Sequence, residues 1–209
     1  MAGLRLLLLF LTSAACSSHA GNGSAPPPAS AAASEPIVSV ASMEGLPRHA
    51  PQEARGFPSV VIFEPFPDSR SSEREQPIID QFNLQFIPRV TIVQAGTEIE
   101  FRNSEDVAHN VHVSDVASAE TLFNIATMPG FPQRVAIDRP GYHVVLCDVH
   151  PTMEAYIVAL SPQQIAILAE RDGSFVPPLM PPGEYTMRIW SVNPDLRSER
   201  LVRVAVSDP

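Results

Sequence analysis

The stretch Tyr142-His-Val-Val-Leu-Cys147-Asp-Val-His150-Pro-Thr-Met153 runs from an apolar segment into a short polar loop. A second apolar segment, residues 155–160, follows the loop directly. Both segments have the length and the content of β-branched and aromatic residues that are typical of buried strands. The sequence therefore predicts a strand–loop–strand unit whose turn holds a thiol, an imidazole and a thioether close together.

A second histidine lies upstream, where His109 follows a predicted strand at residues 98–102. Two imidazoles, one thiolate and one thioether are the ligands of blue-copper electron-transfer sites, because sulfur suits Cu(I) and imidazole suits copper generally. We therefore interpret His109, Cys147, His150 and Met153 as a candidate site for one copper ion. Zinc is the main competing metal, but its structural sites prefer four Cys or His ligands, and a thioether is a poor ligand for it.

The amino terminus has the pattern of an export signal, and we predict a signal peptide over residues 1–20. A charged start and the apolar run 6–11 precede small residues, and this run is far too short to span a bilayer, which needs about 20 apolar residues. Two processing sites fit. Lipoprotein processing would lipidate Cys16 and anchor the protein to a membrane, whereas cleavage after Ala20 would remove this cysteine. Either route leaves Cys147 without a disulfide partner, because the chain has only 2 cysteines.

Residues 21–35 are rich in Gly, Ala, Ser and Pro, and we predict that they form a disordered linker. The expected location is the periplasm, either free or as a membrane-anchored lipoprotein. No later segment is long and apolar enough to predict a transmembrane span. The formal charge of -9 and the absence of lysine argue against a nucleic-acid partner, since phosphate binding needs clustered positive charge.

Many short apolar or alternating runs, separated by Pro, Gly, Asn and Asp, predict an all-β sandwich or barrel. The predicted strands are residues 37–41, 59–64, 80–86, 89–93, 98–102, 110–113, 133–137, 143–147, 155–160, 185–191 and 201–206. Residues 161–171 are ambiguous. Ser161 and Gln164 form a capping-box pattern that would start a helix, while residues 165–169 also fit a buried strand, which we favour.

Residues 79–160 resemble a cupredoxin, most closely of the amicyanin or plastocyanin-like type with a short ligand loop. The resemblance is carried by Phe101-Arg-Asn-Ser-Glu-Asp-Val-Ala-His109-Asn-Val-His-Val113 and by Arg139-Pro-Gly-Tyr-His-Val-Val-Leu-Cys147-Asp-Val-His150-Pro-Thr-Met153. It implies one type 1 copper held by His109, Cys147 and His150, with Met153 as the weak axial ligand. It also implies that Asn110 ties the two ligand loops together, and Pro151 stands where amicyanins also carry proline.

The chain is further similar to exported bacterial proteins of the methylamine-utilisation type, which join a cupredoxin to a part resembling the carboxypeptidase regulatory domain. The counterpart here is Asp172-Gly-Ser-Phe-Val-Pro-Pro-Leu-Met-Pro-Pro-Gly-Glu-Tyr-Thr-Met-Arg-Ile-Trp190, although Ser191 stands where that family often has histidine. This resemblance implies a Greek-key cupredoxin sandwich over residues 77–160. Residues 36–66 and 161–209 would form a small second, transthyretin-like β-sandwich around it.

The resemblance implies a type 1 (blue) copper protein that transfers single electrons to a redox partner, which the sequence does not name. Electrons would leave through the outer edge of His150, near Pro151 and residues 128–131. The main alternative is a copper-carrying or copper-buffering module without a redox function. Another is a purely structural metal site that only stabilises the sandwich. We expect no enzymatic activity, because the additional histidine ligands of multicopper oxidases and the G-x-S-x-G motif are absent from the sequence.

Overall fold

The computed structural model describes residues 43–44, 58–66 and 76–204, and the predicted signal peptide, linker, Cys16 and first strand lie outside these residues. The regular secondary structure of the described part is almost entirely strand, which confirms the predicted all-β sandwich class. A single turn of 3₁₀ helix, Pro194–Leu196, interrupts the strands. The strands are β1 (Met43–Glu44), β2 (Ser59–Glu64), β3 (Ile78–Phe82), β4 (Gln85–Ile87), β5 (Val90–Gln94), β6 (Thr97–Asn103), β7 (His109–Asp115), β8 (Thr121–Thr127), β9 (Gln133–Ile137), β10 (Gly141–Leu146), β11 (Glu154–Leu160), β12 (Ile165–Leu168), β13 (Gly183–Ser191) and β14 (Ser198–Val204).

Residues 78–160 build two sheets that enclose one core. The ligand sheet has five strands in the order β5-β11-β10-β7-β8, and the facing sheet has four in the order β4-β3-β6-β9. Side chains alternate between the two faces of a strand, so Val111 and Val113 of β7 are fully buried in this core. The same alternation places Asn110 and His112 on the outer face of the ligand sheet.

The remaining described strands form the outer sheet, five strands in the order β1-β14-β13-β2-β12. One face of the outer sheet packs on the outer face of the ligand sheet, where Trp190 stacks on Tyr142 with ring centroids 5.0 Å apart. Its other face is a separate apolar cluster that includes Phe175 and Met180 from the segment before β13. In the described residues the part outside 77–160 is thus one sheet, and the ligand sheet supplies its second layer.

The predicted strand at residues 80–86 is wrong, because a hairpin turn divides it into β3 and β4. The turn residues Asn83 and Leu84 have positive φ angles of 54° and 53°. Two consecutive residues with positive φ make a type I′ turn, which matches the twist of a two-residue hairpin. Leucine gives no sequence signal for that conformation, so the hairpin was not predicted.

The ambiguous segment 161–171 contains a strand, β12, and the favoured prediction is confirmed. Gln164 still behaves as a capping residue, since its Oε1 accepts the Ser161 backbone N–H at 2.9 Å, but no helix follows. Pairing of β12 with the edge of β2 takes up the backbone groups instead. No helix in the described part of the chain has the length and hydropathy needed to cross a membrane.

Candidate metal centre

The loop between β10 and β11 carries the cysteine ligand candidate and two others in a closed turn. Cys147 directly follows β10, and Met153 directly precedes β11. The backbone N–H of Met153 donates to the carbonyl of His150 at 2.9 Å, and that of Cys147 donates to the carbonyl of Met153 at 3.3 Å. These bonds fold the loop back on itself, so its side chains converge without help from distant segments.

His109 reaches the same place from the neighbouring strand, because it opens β7 and β7 pairs with β10. The loop before His109 is organised by Asn103, whose side chain is buried. The Asn103 amide donates to the carbonyl oxygens of Val107 at 2.8 Å and Thr127 at 2.9 Å. These bonds fix the path of residues 103–108 and therefore the direction from which the imidazole enters the core.

The structure brings His109, Cys147 and His150 into one cluster. The two Nδ1 atoms are 2.9 Å apart, and each lies 3.8 Å from the Cys147 Sγ atom. Cys147 and His109 are each 2 % exposed, whereas His150 is only partly covered. One donor atom from each of the three residues lies within 4.8 Å of the other two. Among the described residues, this is the group of His, Cys, Asp and Glu side chains that could hold a metal ion.

The donor atoms fit one metal ion. Bonds of about 2.0 Å to imidazole nitrogen and about 2.3 Å to thiolate sulfur, as zinc makes them, let an ion contact atoms up to about 4 Å apart. All three separations in the cluster are below this limit. Two nitrogen lone pairs also repel each other at such short range, so the His109–His150 contact requires a proton or a cation between the rings.

Met153, the fourth predicted ligand, is fully buried in the same apolar cluster as Cys147. Its backbone closes the ligand loop, so its side chain starts from a position beside the other three residues. Pro151, the predicted proline of the loop, is exposed next to His150. Cys147 forms no disulfide in the described part of the chain.

Glu105 holds the far side of the His109 ring, a role that the sequence did not suggest. Its Oε2 atom lies 3.3 Å from His109 Nε2, and its Oε1 accepts the backbone N–H of Leu84. The Leu84 bond, aided by His109, keeps the pKa of Glu105 below its ordinary value. A carboxylate beside Nε2 favours the tautomer that carries its proton there, in which the Nδ1 lone pair points into the cluster.

Asn110 connects the two ligand loops. Its Oδ1 accepts the Asp148 backbone N–H at 2.8 Å and the Cys147 thiol at 3.4 Å. Its Nδ2 donates to Asp148 Oδ2 at 2.9 Å and to Asn124 Oδ1 at 2.8 Å. One side chain on β7 thus reaches the cysteine, the residue after it and the neighbouring strand β8.

The Asp148 carboxylate has two further partners. His112 Nδ1 lies 2.9 Å from Asp148 Oδ1, and Asn124 donates to Asp148 Oδ2 at 2.8 Å. His112, followed by Asn124, holds the pKa of Asp148 below its ordinary value. His112 itself lies on the outer face of the ligand sheet and does not belong to the cluster.

Four apolar side chains of the two ligand loops and of the turn before β9 are exposed. They are Val107 (43 % exposed), Met128 (52 %), Phe131 (69 %) and Val149 (62 %). The turn before β9 is joined to the first ligand loop, because the Gly130 backbone N–H donates to the Asn103 carbonyl at 3.1 Å. We call these four side chains the apolar rim.

His143 and Trp190 do not belong to the cluster. His143 is fully buried, and its Nε2 lies 2.9 Å from the Arg139 carbonyl oxygen. Trp190 belongs to the junction between the outer sheet and the ligand sheet. Their side chains therefore serve packing in this fold.

Comparison with known proteins gives a partial likeness. No family model and no curated protein matches the sequence. Among solved structures, amicyanin from Paracoccus versutus is similar with a TM-score of 0.38 and 13% identity, over 43% of this chain and 86% of that one. A reduced amicyanin mutant is similar with a TM-score of 0.38 and 20% identity, over 46% of this chain and 91% of that one. The copper-containing nitrite reductase of Thermus scotoductus SA-01 is similar with a TM-score of 0.39 and 26% identity, over 44% of this chain and 24% of that one. The chemistry of this chain therefore has to be inferred from its own residues and distances.

Proposed function

We propose that this protein is an exported type 1 (blue) copper protein that carries single electrons. His109, Cys147 and His150 would hold one copper ion, with Met153 as a weak axial ligand. The observation that carries the proposal is the convergence of two imidazole Nδ1 atoms and one thiol sulfur, all within 4.8 Å. Soft sulfur together with imidazole favours copper over the harder divalent metals.

The residues around the cluster support an electron-transfer function. Bound copper would supply the one-electron chemistry, and the protein has to keep the ligand positions unchanged while the ion changes charge. The turn bonds of Met153, the Asn110 bridge and the Glu105 contact restrain the ligands from three sides. Burial of Cys147 also keeps water and oxidants away from the thiolate.

Electrons would pass through the exposed edge of His150. Of the four proposed ligands it is the one with substantial exposure, and the apolar rim belongs to the two ligand loops and the turn before β9. A partner protein that desolvates this rim would come within short range of the imidazole. The partner is therefore expected to present a complementary apolar surface around its own redox group.

The burial of the sulfur ligands argues against the copper-carrying or copper-buffering alternative. A protein that hands over its metal needs ligands that an acceptor can reach, whereas Cys147 and Met153 are 2 % and 0 % exposed. The same burial leaves no room for a substrate beside the sulfur atoms, so the proposal includes no enzymatic activity. Very tight Cu(I) binding with handover to an acceptor protein would favour the alternative.

The proposal extends to cellular location and domain organisation. Export would follow from the signal peptide over residues 1–20, and lipidation of Cys16 would tether the protein through linker 21–35. The cupredoxin part would be residues 77–160, and residues 36–66 with 161–209 would form the carboxypeptidase-regulatory-like part. Metabolic labelling with a fatty acid, with a Cys16→Ser variant as control, tests the tether.

Metal analysis with visible and electron-paramagnetic-resonance spectroscopy tests the copper assignment. Protein from the exported fraction should contain one copper per chain and show an intense thiolate-to-Cu(II) absorption. Cys147→Ser should lose this absorption while the far-ultraviolet circular dichroism stays that of the wild type. An unchanged visible spectrum in a folded Cys147→Ser variant would end the proposal.

A further inference from the structure

The carboxylate of Asp148 is fixed in place immediately after the cysteine of the cluster. Three side chains hold it: Asn110 and Asn124 donate to Oδ2 at 2.9 and 2.8 Å, and His112 Nδ1 lies 2.9 Å from Oδ1. All three come from the adjacent strands β7 and β8. An exposed aspartate normally samples several rotamers, whereas this one would have to break bonds to three residues before it could turn away.

The same network joins the carboxylate to the sulfur. Asn110 accepts the Asp148 backbone N–H and the Cys147 thiol at one oxygen, and donates to the Asp148 carboxylate from its nitrogen. The carboxylate is thus coupled to Cys147 both along the chain and through one bridging amide. His112 contacts Asp148 but no proposed ligand, so its effect on the metal would pass through the carboxylate. Asn124 contacts both Asp148 and Asn110.

A fixed negative charge beside a metal favours the more positive oxidation state. The Coulomb energy between unit charges falls as the inverse of distance and of the local dielectric constant. Because the Asp148 side chain is 51% exposed, water and salt weaken this energy without removing it. Asp148 should therefore stabilise Cu(II) relative to Cu(I) by an amount that depends on ionic strength.

We propose that Asp148 lowers the reduction potential of the copper site, and that His112 and Asn124 are positioning residues that keep its charge beside Cys147. This inference rests on the proposed type 1 copper function. Residues on the outer face of the ligand sheet would then adjust the reduction potential in addition to the ligands themselves. The partner that donates electrons would then have to be a correspondingly stronger reductant.

Potentiometric titration of the copper-loaded full chain tests the role of the charge. In dilute buffer at about pH 8, where ordinary imidazoles are neutral, Asp148→Asn should favour Cu(I) about tenfold, which is about 59 mV upward for a one-electron couple. Raising the salt from about 0.01 M to about 1 M cuts the screening length from about 30 Å to about 3 Å, so the shift should shrink. A shift that salt leaves unchanged would overturn the electrostatic proposal.

Two further variants separate charge from structure. Glu98→Gln removes the same charge at the start of β6, the opposite end of that strand from Asn103 and the ligand loops, and should leave the potential unchanged. His112→Ala keeps the Asp148 charge and the Asn110 bridge but removes one partner of the carboxylate, so a smaller upward shift is expected, and no shift would overturn the positioning role. If wild-type protein shows the blue absorption and a reversible couple but Asp148→Asn behaves like Glu98→Gln, this inference alone fails. If the wild type lacks the absorption, the proposed function fails first.

Discussion

The Nε2 atom of His109 lies 3.3 Å from the Oε2 atom of Glu105, on the opposite side of the ring from the sulfur of the cluster. Glu105 is anchored in turn by the Leu84 backbone N–H at the tip of the β3–β4 hairpin. A chain of contacts therefore leads from the facing sheet to the metal site. It explains how a loop residue outside the ligand pattern can set the orientation of a ligand.

Glu105→Ala should weaken copper binding about 10–100-fold, because an imidazole without its outer partner loses its fixed tautomer and orientation. Competition with a chromophoric copper chelator would measure the affinity. Asp106→Ala provides the control, since it removes an exposed carboxylate one position further along the same loop. Equal affinities for the two variants would contradict the positioning role of Glu105.

Met153→Leu should keep the blue absorption and raise the reduction potential. In the proposed site the thioether would be a weak ligand that tunes the potential, so its loss would leave the three stronger ligands in place. The expected shift corresponds to about a tenfold change in the Cu(I)/Cu(II) ratio, or about 59 mV. Met180→Leu, which makes the same change in the separate cluster of the outer sheet, should not alter the potential.

Asn103→Ala should lower the free energy of unfolding of the metal-free protein by about 1–3 kcal/mol. The variant leaves the carbonyl oxygens of Val107 and Thr127 without the amide that satisfies them, and buried polar groups without partners carry costs of this size. Urea titration measures the difference. Asp106→Ala, at an exposed residue of the same loop, should change stability by no more than about 0.5 kcal/mol.

Trp190→Ala should destabilise the protein by about 3–5 kcal/mol, the usual range for truncating a buried aromatic side chain. The ring is 2 % exposed and contacts Tyr142 and Tyr156 of the ligand sheet. Below its unfolding temperature the variant should retain the blue absorption, because the ring lies outside the metal cluster. Val176→Ala, at a position 79% exposed, is the matched control for thermal unfolding.

Asp115 should contribute stability that is lost in acid. Its Oδ1 accepts the backbone N–H groups of Ser118 at 2.8 Å and Ala117 at 3.0 Å, and the Ser118 bond is the main reason that the pKa of Asp115 lies below its ordinary value. A lowered pKa stabilises the fold above the unfolded-state value of about 3.9, and this contribution disappears as the pH falls through the folded-state pKa. Asp115→Asn should therefore be less stable than wild type near neutrality, and the gap should close below about pH 4. A gap that stays constant into strong acid would contradict the assignment.

Two members of the cluster, Cys147 and His150, lie in one seven-residue loop with Met153, so the sequence alone could suggest that these side chains converge. A strand–loop–strand unit restricts such a loop to a few conformations, so the side chains of Cys147, His150 and Met153 can take only a few relative positions. Placing His109 beside them needed the resemblance, since β7 and β10 are distant in sequence. The Asn110 bridge was implied in the same way.

Features without a local pattern were missed. Strand β8, Thr121–Thr127, is an edge strand whose residues are mostly half-exposed, so its hydrophobic alternation is weak. The contacts of Glu105 with His109 and of His112 with Asp148 depend on which loops meet in space. No composition or spacing rule distinguishes such carboxylates from solvated ones.

Anomalous diffraction at the copper absorption edge, on crystals of the loaded protein in both oxidation states, would locate the ion and its ligands. We expect a single copper peak bonded to His109 Nδ1, His150 Nδ1 and Cys147 Sγ, with Met153 Sδ at a longer distance and little movement between the two states. A peak elsewhere, or a copper ion bound without the Cys147 sulfur, would contradict this expectation.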